Sequence, residues 1–109
     1  MITVTRLHRP YGLVMEGHAG AEKNEHEHDL VCCAASTLMQ TLLYSLSRQG
    51  HVIEHAMRDG YMLIRCHEDY AFDSQMAATF MAVEDGLEML AQGWPEHIKF
   101  SDKNDGMRL

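Results

Sequence analysis

Apolar and polar residues alternate from Ile2 to Leu7, with Ile2, Val4 and Arg6 on one side and Thr3, Thr5 and Leu7 on the other. A short β-branched run of period two predicts a strand. Pro10 and Gly12, in the segment His8-Arg9-Pro10-Tyr11-Gly12, carry turn chemistry. Leu13 to Gly17 then reads as a second strand that folds back on the first. Ala21 to Asp29 has no apolar period and reads as a solvated loop. From Leu30 to about Arg48 the period changes: Val31, Ala35, Leu38, Leu42 and Leu46 recur at helical spacing. Asp29 is placed to cap this helix and Gly50 to stop it.

The second half repeats the order. His51 to Met57 and Tyr61 to His67 flank Arg58-Asp59-Gly60, and Asp-Gly between two apolar runs is a strong hairpin signal. After a loop ending at the capping candidates Asp73 and Ser74, a second helix runs to about Gln92. It carries Met76, Phe80, Val83, Leu87 and Leu90 on one face. Gly93 and Pro95 end it. Glu96 to Phe100 reads as a short last strand, and Ser101 to Leu109 as a frayed tail. The order β-β-α-β-β-α-β predicts an α+β two-layer sandwich, with helices packed on one face of a largely antiparallel sheet.

Composition narrows the function. A chain of 109 residues reads as one domain, residues 1–109, and buries roughly two-thirds of its unfolded surface without disulfides or metals. The formal net charge of −7 argues against a nucleic-acid partner, which wants a basic stripe. Three cysteines, two of them adjacent, do not make a secreted disulfide framework. No signal peptide is visible, and no apolar stretch approaches the length that spans a bilayer. The expected setting is a reducing cytoplasm. The nine methionines read as core filler.

The chemistry concentrates in one region. Gly17-His18-Ala19-Gly20 ends the second strand, and Asp29-Leu30-Val31-Cys32-Cys33-Ala34-Ala35-Ser36 opens the first helix. With Asp29 as cap, Cys32 falls in the first helical turn, where free amides and the helix dipole favour a thiolate. An imidazole facing that thiol completes a nucleophile and base for acyl chemistry. Gly17 and Gly20 let the chain turn sharply around His18, and could expose amides to an oxyanion. Asp29 either caps the helix or orients the imidazole. Ser36, one turn after Cys32, either serves the site or bonds back within the helix. Cysteine in an Ala-rich helix is also a common small buried residue. Cys33 points about 100° away from Cys32, so one thiol is structural.

Two other chemistries are available to the same residues. His18, His26, His28, Cys32 and Cys33, with Glu25, Glu27 and Asp29, are zinc or copper ligand types. Their spacing matches no zinc finger and includes no C-x-x-C, so no cofactor or metal is expected. A non-catalytic dimeric interaction module using the His/Cys-rich loop is the other alternative.

Together the two segments resemble the ribosomal-processing cysteine proteases, the Prp family, whose hallmark is Gly-His-Ala-Gly followed by Asp-(Ile/Leu)-Val-Cys-Ala-Ala and a nearby Ser. The resemblance makes Cys32 the nucleophile and His18 its base, with Cys33 where the family usually has Ala. It implies a cysteine endopeptidase that removes the N-terminal extension of a large-subunit ribosomal protein, near Gln-Phe-Phe-Ala, or that acts on a phage structural protein. It also implies a homodimer. In the family the loop between the two segments admits substrate. Here that loop is Ala21, Glu22, Lys23, Asn24, Glu25, His26, Glu27 and His28, longer and more charged than usual and without glycine.

Overall fold

The computed structural model describes residues 1–8, 10–17, 25–51, 53–66 and 74–102. The elements are β1 (Ile2–Leu7), β2 (Gly12–Glu16), α1 (Glu25–Arg48), β3 (Ile53–Arg58), β4 (Tyr61–Cys66), α2 (Ser74–Gly93) and β5 (Ile98–Asp102). They form an α+β fold with one five-stranded sheet in the order β3-β4-β2-β1-β5. Three neighbouring pairs are antiparallel, and β5 joins β1 in parallel after the α2 crossover.

The strands put one pleat into the core. Ile2 and Val4 of β1, Leu13 and Met15 of β2, Met62, Ile64 and Cys66 of β4, and Ile98 of β5 are buried together with the inner faces of both helices. From α1 these are Val31, Ala35, Met39, Leu42 and Leu46; from α2 they are Met76, Phe80, Val83 and Leu87. Leu38, expected in the α1 stripe, instead lies over Gly86 of α2, whose missing side chain admits it. A Cβ at Gly86 would stand 3.0 Å from a Leu38 methyl, so this glycine sets the helix–helix approach.

One buried residue of α2 is charged. Glu84 accepts from Arg6 Nη2 at 3.1 Å and from the Tyr11 hydroxyl, while Arg6 Nε donates to the Tyr11 oxygen at 3.0 Å. The predicted pleat puts Arg6 on the side of Ile2 and Val4, facing α2, so the guanidinium needs this partner. Burial works against its charge, but Glu84 and Tyr11 outweigh it and hold the Arg6 pKa above its usual value. The trio bolts α2 to β1 at the end of the sheet away from Gly17.

Four expectations change. α1 starts at Glu25, so Asp29 is inside the helix and caps nothing. The added turn, Glu25-His26-Glu27-His28, has no apolar residue in its sequence, yet glutamates suit a helix N-terminus. β3 begins at Ile53, two residues later than expected, and ends at Arg58, one residue later, where its register with β4 puts Arg58 opposite Tyr61. β5 continues through Ser101 and Asp102, which pair with Thr5 and Arg6 rather than fraying. Finally, Asp29–Arg48 is long and apolar enough to cross a membrane by length and composition. Its apolar stripe packs on the sheet and on α2, the pattern of a core helix.

Cys66, 2% exposed and 3.5 Å from Met76 Sδ, is a core thiol. Burial pushes its pKa up from 9.0 to about 11. Below about pH 9 the thiol is protonated in both folded and unfolded chains and contributes no pH dependence. Between about 9 and 11 only the unfolded chain loses the proton, so stability falls as pH rises. Urea unfolding of Cys66→Ala should therefore show a smaller loss of midpoint over pH 9–11 than the parent protein. An equal loss in both would assign the alkaline instability elsewhere.

Candidate active site

The buried stripe of α1 fixes the helix's rotation, and that rotation decides which residues face the cleft. Cys32, Ser36 and Gln40 follow one another at intervals of four and line a cavity of about 370 Å³. Cys32 is half-buried there, whereas Cys33, one position on, is exposed and outside the lining. Opposite the helix lie the ends of β1 and β2 and the β3–β4 hairpin: Ile2, Met15, Gly17, and Met57 through Met62. Met57, Met62 and Met15 are cross-strand neighbours and lay an apolar floor. Methionine suits such a floor because its unbranched chain adapts to different shapes. At the rim the Arg58 guanidinium stacks 3.9 Å from the centre of the Tyr61 ring.

Gly17 is the hinge of the far wall. Its φ is 132°, and its N–H donates to Gly60 O at 3.0 Å, tying the end of β2 to the hairpin turn. A Cβ at Gly17 would lie 2.3 Å from the Met1 carbonyl oxygen. Gly60, with φ 73°, forms the Asp-Gly turn itself.

The remaining sequence candidates divide by position. His18, Gly20, Ala21, Glu22, Lys23 and Asn24 lie outside the described residues, as do the side chains of Glu25, His26, Glu27 and His28. The backbone of Glu25–His28 is helical, not loop. Cys32 is thus the eighth residue of α1, beyond the first turn where a helix dipole acts. The amides near Cys32 are inside the helix ladder, which removes the helix start as a source of oxyanion donors. Asp29 is exposed one turn before Cys32. Among the described residues no three His, Cys, Asp or Glu side chains cluster to hold a metal, and the metal alternative rests on histidines outside them.

Sequence reading missed Gln40 and the hairpin walls. Gln40 was legible as the next position on the Cys32–Ser36 face. Arg58 to Gly60 were read as a turn and Tyr61 as the start of the next strand, but only the strand order brings that hairpin to the cleft.

Comparison with known families now decides the identity. A family model described as cysteine protease Prp matches residues 1–99. The chain belongs to the Prp cysteine protease family. Comparison with curated proteins gives no match. Solved structures share the Prp fold. An essential ribosomal processing protease Prp from S. aureus, in complex with a substrate peptide, superposes with a TM-score of 0.80 at 19% identity, covering 94% of this chain and 100% of that one. The same S. aureus protease with a covalently linked product peptide gives 0.77 at 20% identity, with 94% and 100% covered. SMU.848 from Streptococcus mutans gives 0.68 at 23% identity, covering 93% and 90%. At these identities the superpositions establish the fold, and the family match establishes a Prp-type cysteine peptidase.

Replacing Gly17 by Ala should cost roughly 1–3 kcal/mol, because a side chain is forced into a left-handed backbone against the Met1 carbonyl. Gly93→Ala, where a Cβ meets nothing within 4 Å, should stay within about 0.5 kcal/mol. Chemical unfolding of both variants checks the contrast; equal effects would remove the Gly17 constraint.

Proposed function

We propose that this chain is the endopeptidase that trims the N-terminal extension of a large-subunit ribosomal protein, with Cys32 as nucleophile and His18 as general base. One observation carries the reading: Cys32 lines the cavity whose far wall ends at Gly17, the residue bonded to His18, while Cys33 faces away. The S. aureus relative is a ribosomal processing protease seen with substrate and product peptides, which supports the substrate class.

In the proposed reaction, His18 takes the Cys32 proton and the thiolate attacks the scissile carbonyl carbon. The tetrahedral intermediate collapses to a thioester as the imidazolium protonates the leaving amine. His18 then takes a proton from water as the hydroxide attacks the thioester carbonyl, Cys32 leaves as the thiolate and takes that proton back from the imidazolium, and the acid product leaves. Ser36, one helical turn from Cys32 in the same cavity, is the hydroxyl available to the developing oxyanion. Asp29, freed from capping and one turn before Cys32, is given the role of orienting the imidazole. Gly17 and Gly20 frame His18, and residues 21–28 gate the substrate. The proposal includes a homodimer and a cytoplasmic setting, where three free thiols persist.

Because Cys32 is beyond the helix's first turn, His18 is the remaining activator of the thiol. Cleavage of a peptide carrying the ribosomal extension should fall by at least about 10⁴-fold in Cys32→Ala. Cys33→Ala should retain it within about twofold. Alkylation of Cys32 at pH 7, read by peptide mass spectrometry, should slow at least about tenfold in His18→Ala. Activity that survives Cys32→Ala and disappears in Cys33→Ala would overturn the assignment. Cleavage of a phage structural protein in preference to the ribosomal extension would redirect the substrate.

A further inference from the structure

A second cavity adjoins the Cys32 cavity at Gln40. Gln40 and Met57 are walls of both, and the second is an open groove of about 700 Å³ that runs along α1 toward Ser47. Its helix side is Thr37, Thr41, Leu43, Tyr44 and Ser47, and its sheet side is His55 and Met57 of β3. His55 and Met57 pair with the buried Ile64 and Met62, so they belong to the pleat that is core elsewhere in the sheet. Here that pleat is open: Met57 is 55% exposed and Tyr44, across from it, 64%. The Arg48 guanidinium stands 5.6 Å from the Tyr44 ring centre, which steadies the aromatic wall.

We infer that this groove holds the substrate polypeptide on one side of the scissile bond, with Leu43, Tyr44 and Met57 receiving an apolar side chain. The inference rests on the protease reading above. Three observations select a polypeptide as occupant. The groove adjoins the nucleophile's cavity, with Gln40 and Met57 as walls of both. Among the described residues its lining carries no carboxylate or ammonium, only hydroxyls, amide, imidazole and apolar groups, which suits an uncharged extended segment. Its sheet side, β3, is an edge strand, whose outer backbone groups are a template for an added extended chain. The lengths agree: Cys32 to Ser47 spans roughly 22 Å of helix, enough for about six or seven extended residues.

The test compares three synthetic peptides. A short one spans two residues on each side of the cut in the ribosomal extension. Two longer ones add six residues, one on the N-terminal and one on the C-terminal side. The parent protein should cleave one of the extended peptides, and not the other, with kcat/KM at least tenfold above the short one. Thr41→Trp, which fills the middle of the groove, should reduce that ratio to near one. Tyr44→Ala, a truncation with no steric burden, should reduce it at least threefold and covers the case of a misfolded Thr41→Trp. A ratio unchanged in both variants, or extended peptides no better than the short one, overturns the groove while leaving the protease reading intact. A parent protein that cleaves none of the three overturns the protease reading itself. A ratio that varies with protein concentration alongside the sedimentation of a dimer would give the groove to a second copy and also overturn the proposal.

Discussion

The rotation of α1 about its own axis is the constraint on which the site depends. Val31, Met39, Leu42 and Leu46 are buried along one stripe, with Ala35 between them. Each large side chain is worth about 1.5–3 kcal/mol when buried. Turning the helix by one residue would forfeit roughly 6 kcal/mol or more, comparable with the whole net stability of a domain, about 5–15 kcal/mol. The helix therefore cannot choose between its adjacent thiols. Cys32 borders the stripe on the cleft side with Ser36 and Gln40, and Cys33 is carried out to solvent. Folding energy that has nothing to do with catalysis decides which thiol lines the cleft.

The rest of the fold supplies the opposite wall. β1 begins and β2 ends on the cleft side, and the Gly17 N–H to Gly60 carbonyl bond joins the end of β2 to the β3–β4 hairpin. Gly17 is required on two counts, its positive φ and the Met1 carbonyl pressed against it. The chain thus leaves the cleft wall at a fixed point immediately before His18. At the distant end, Arg6, Tyr11 and Glu84 tie α2 to the sheet with charge-assisted bonds. These hold the helical layer together without entering the cleft.

Much of this was legible from residue order. Alternation in β1, the Asp-Gly turn and the two apolar helical periods are local signals, and they led to the observed element order. What failed was non-local. The first turn of α1 is Glu and His only, so its apolar period begins late, and Asp29 looked like a cap when it is an inner residue. That error carried the helix dipole into the chemistry of Cys32, where it does not reach. Leu38 and Met39 are adjacent, and only the partner Gly86 decides that Met39 goes inward and Leu38 toward α2. Glu84 reads as surface until Arg6 and Tyr11 are placed against it. The cleft's sheet wall depends on strand order, which no single segment encodes. The family was legible because the two segments that carry the resemblance, Gly17 to Gly20 and Asp29 to Ser36, are short and specific, and the family match over residues 1–99 bears it out.

The central claim is that helix rotation commits Cys32, and not its neighbour, to covalent chemistry. It is tested most directly by trapping the protein with a substrate-derived peptide ending in an electrophilic chloromethyl ketone, then locating the adduct by mass spectrometry. The account predicts one adduct, on Cys32, with Cys33 and Cys66 unmodified at matched exposure. An adduct on Cys33, or equal labelling of Cys32 and Cys33, would contradict it.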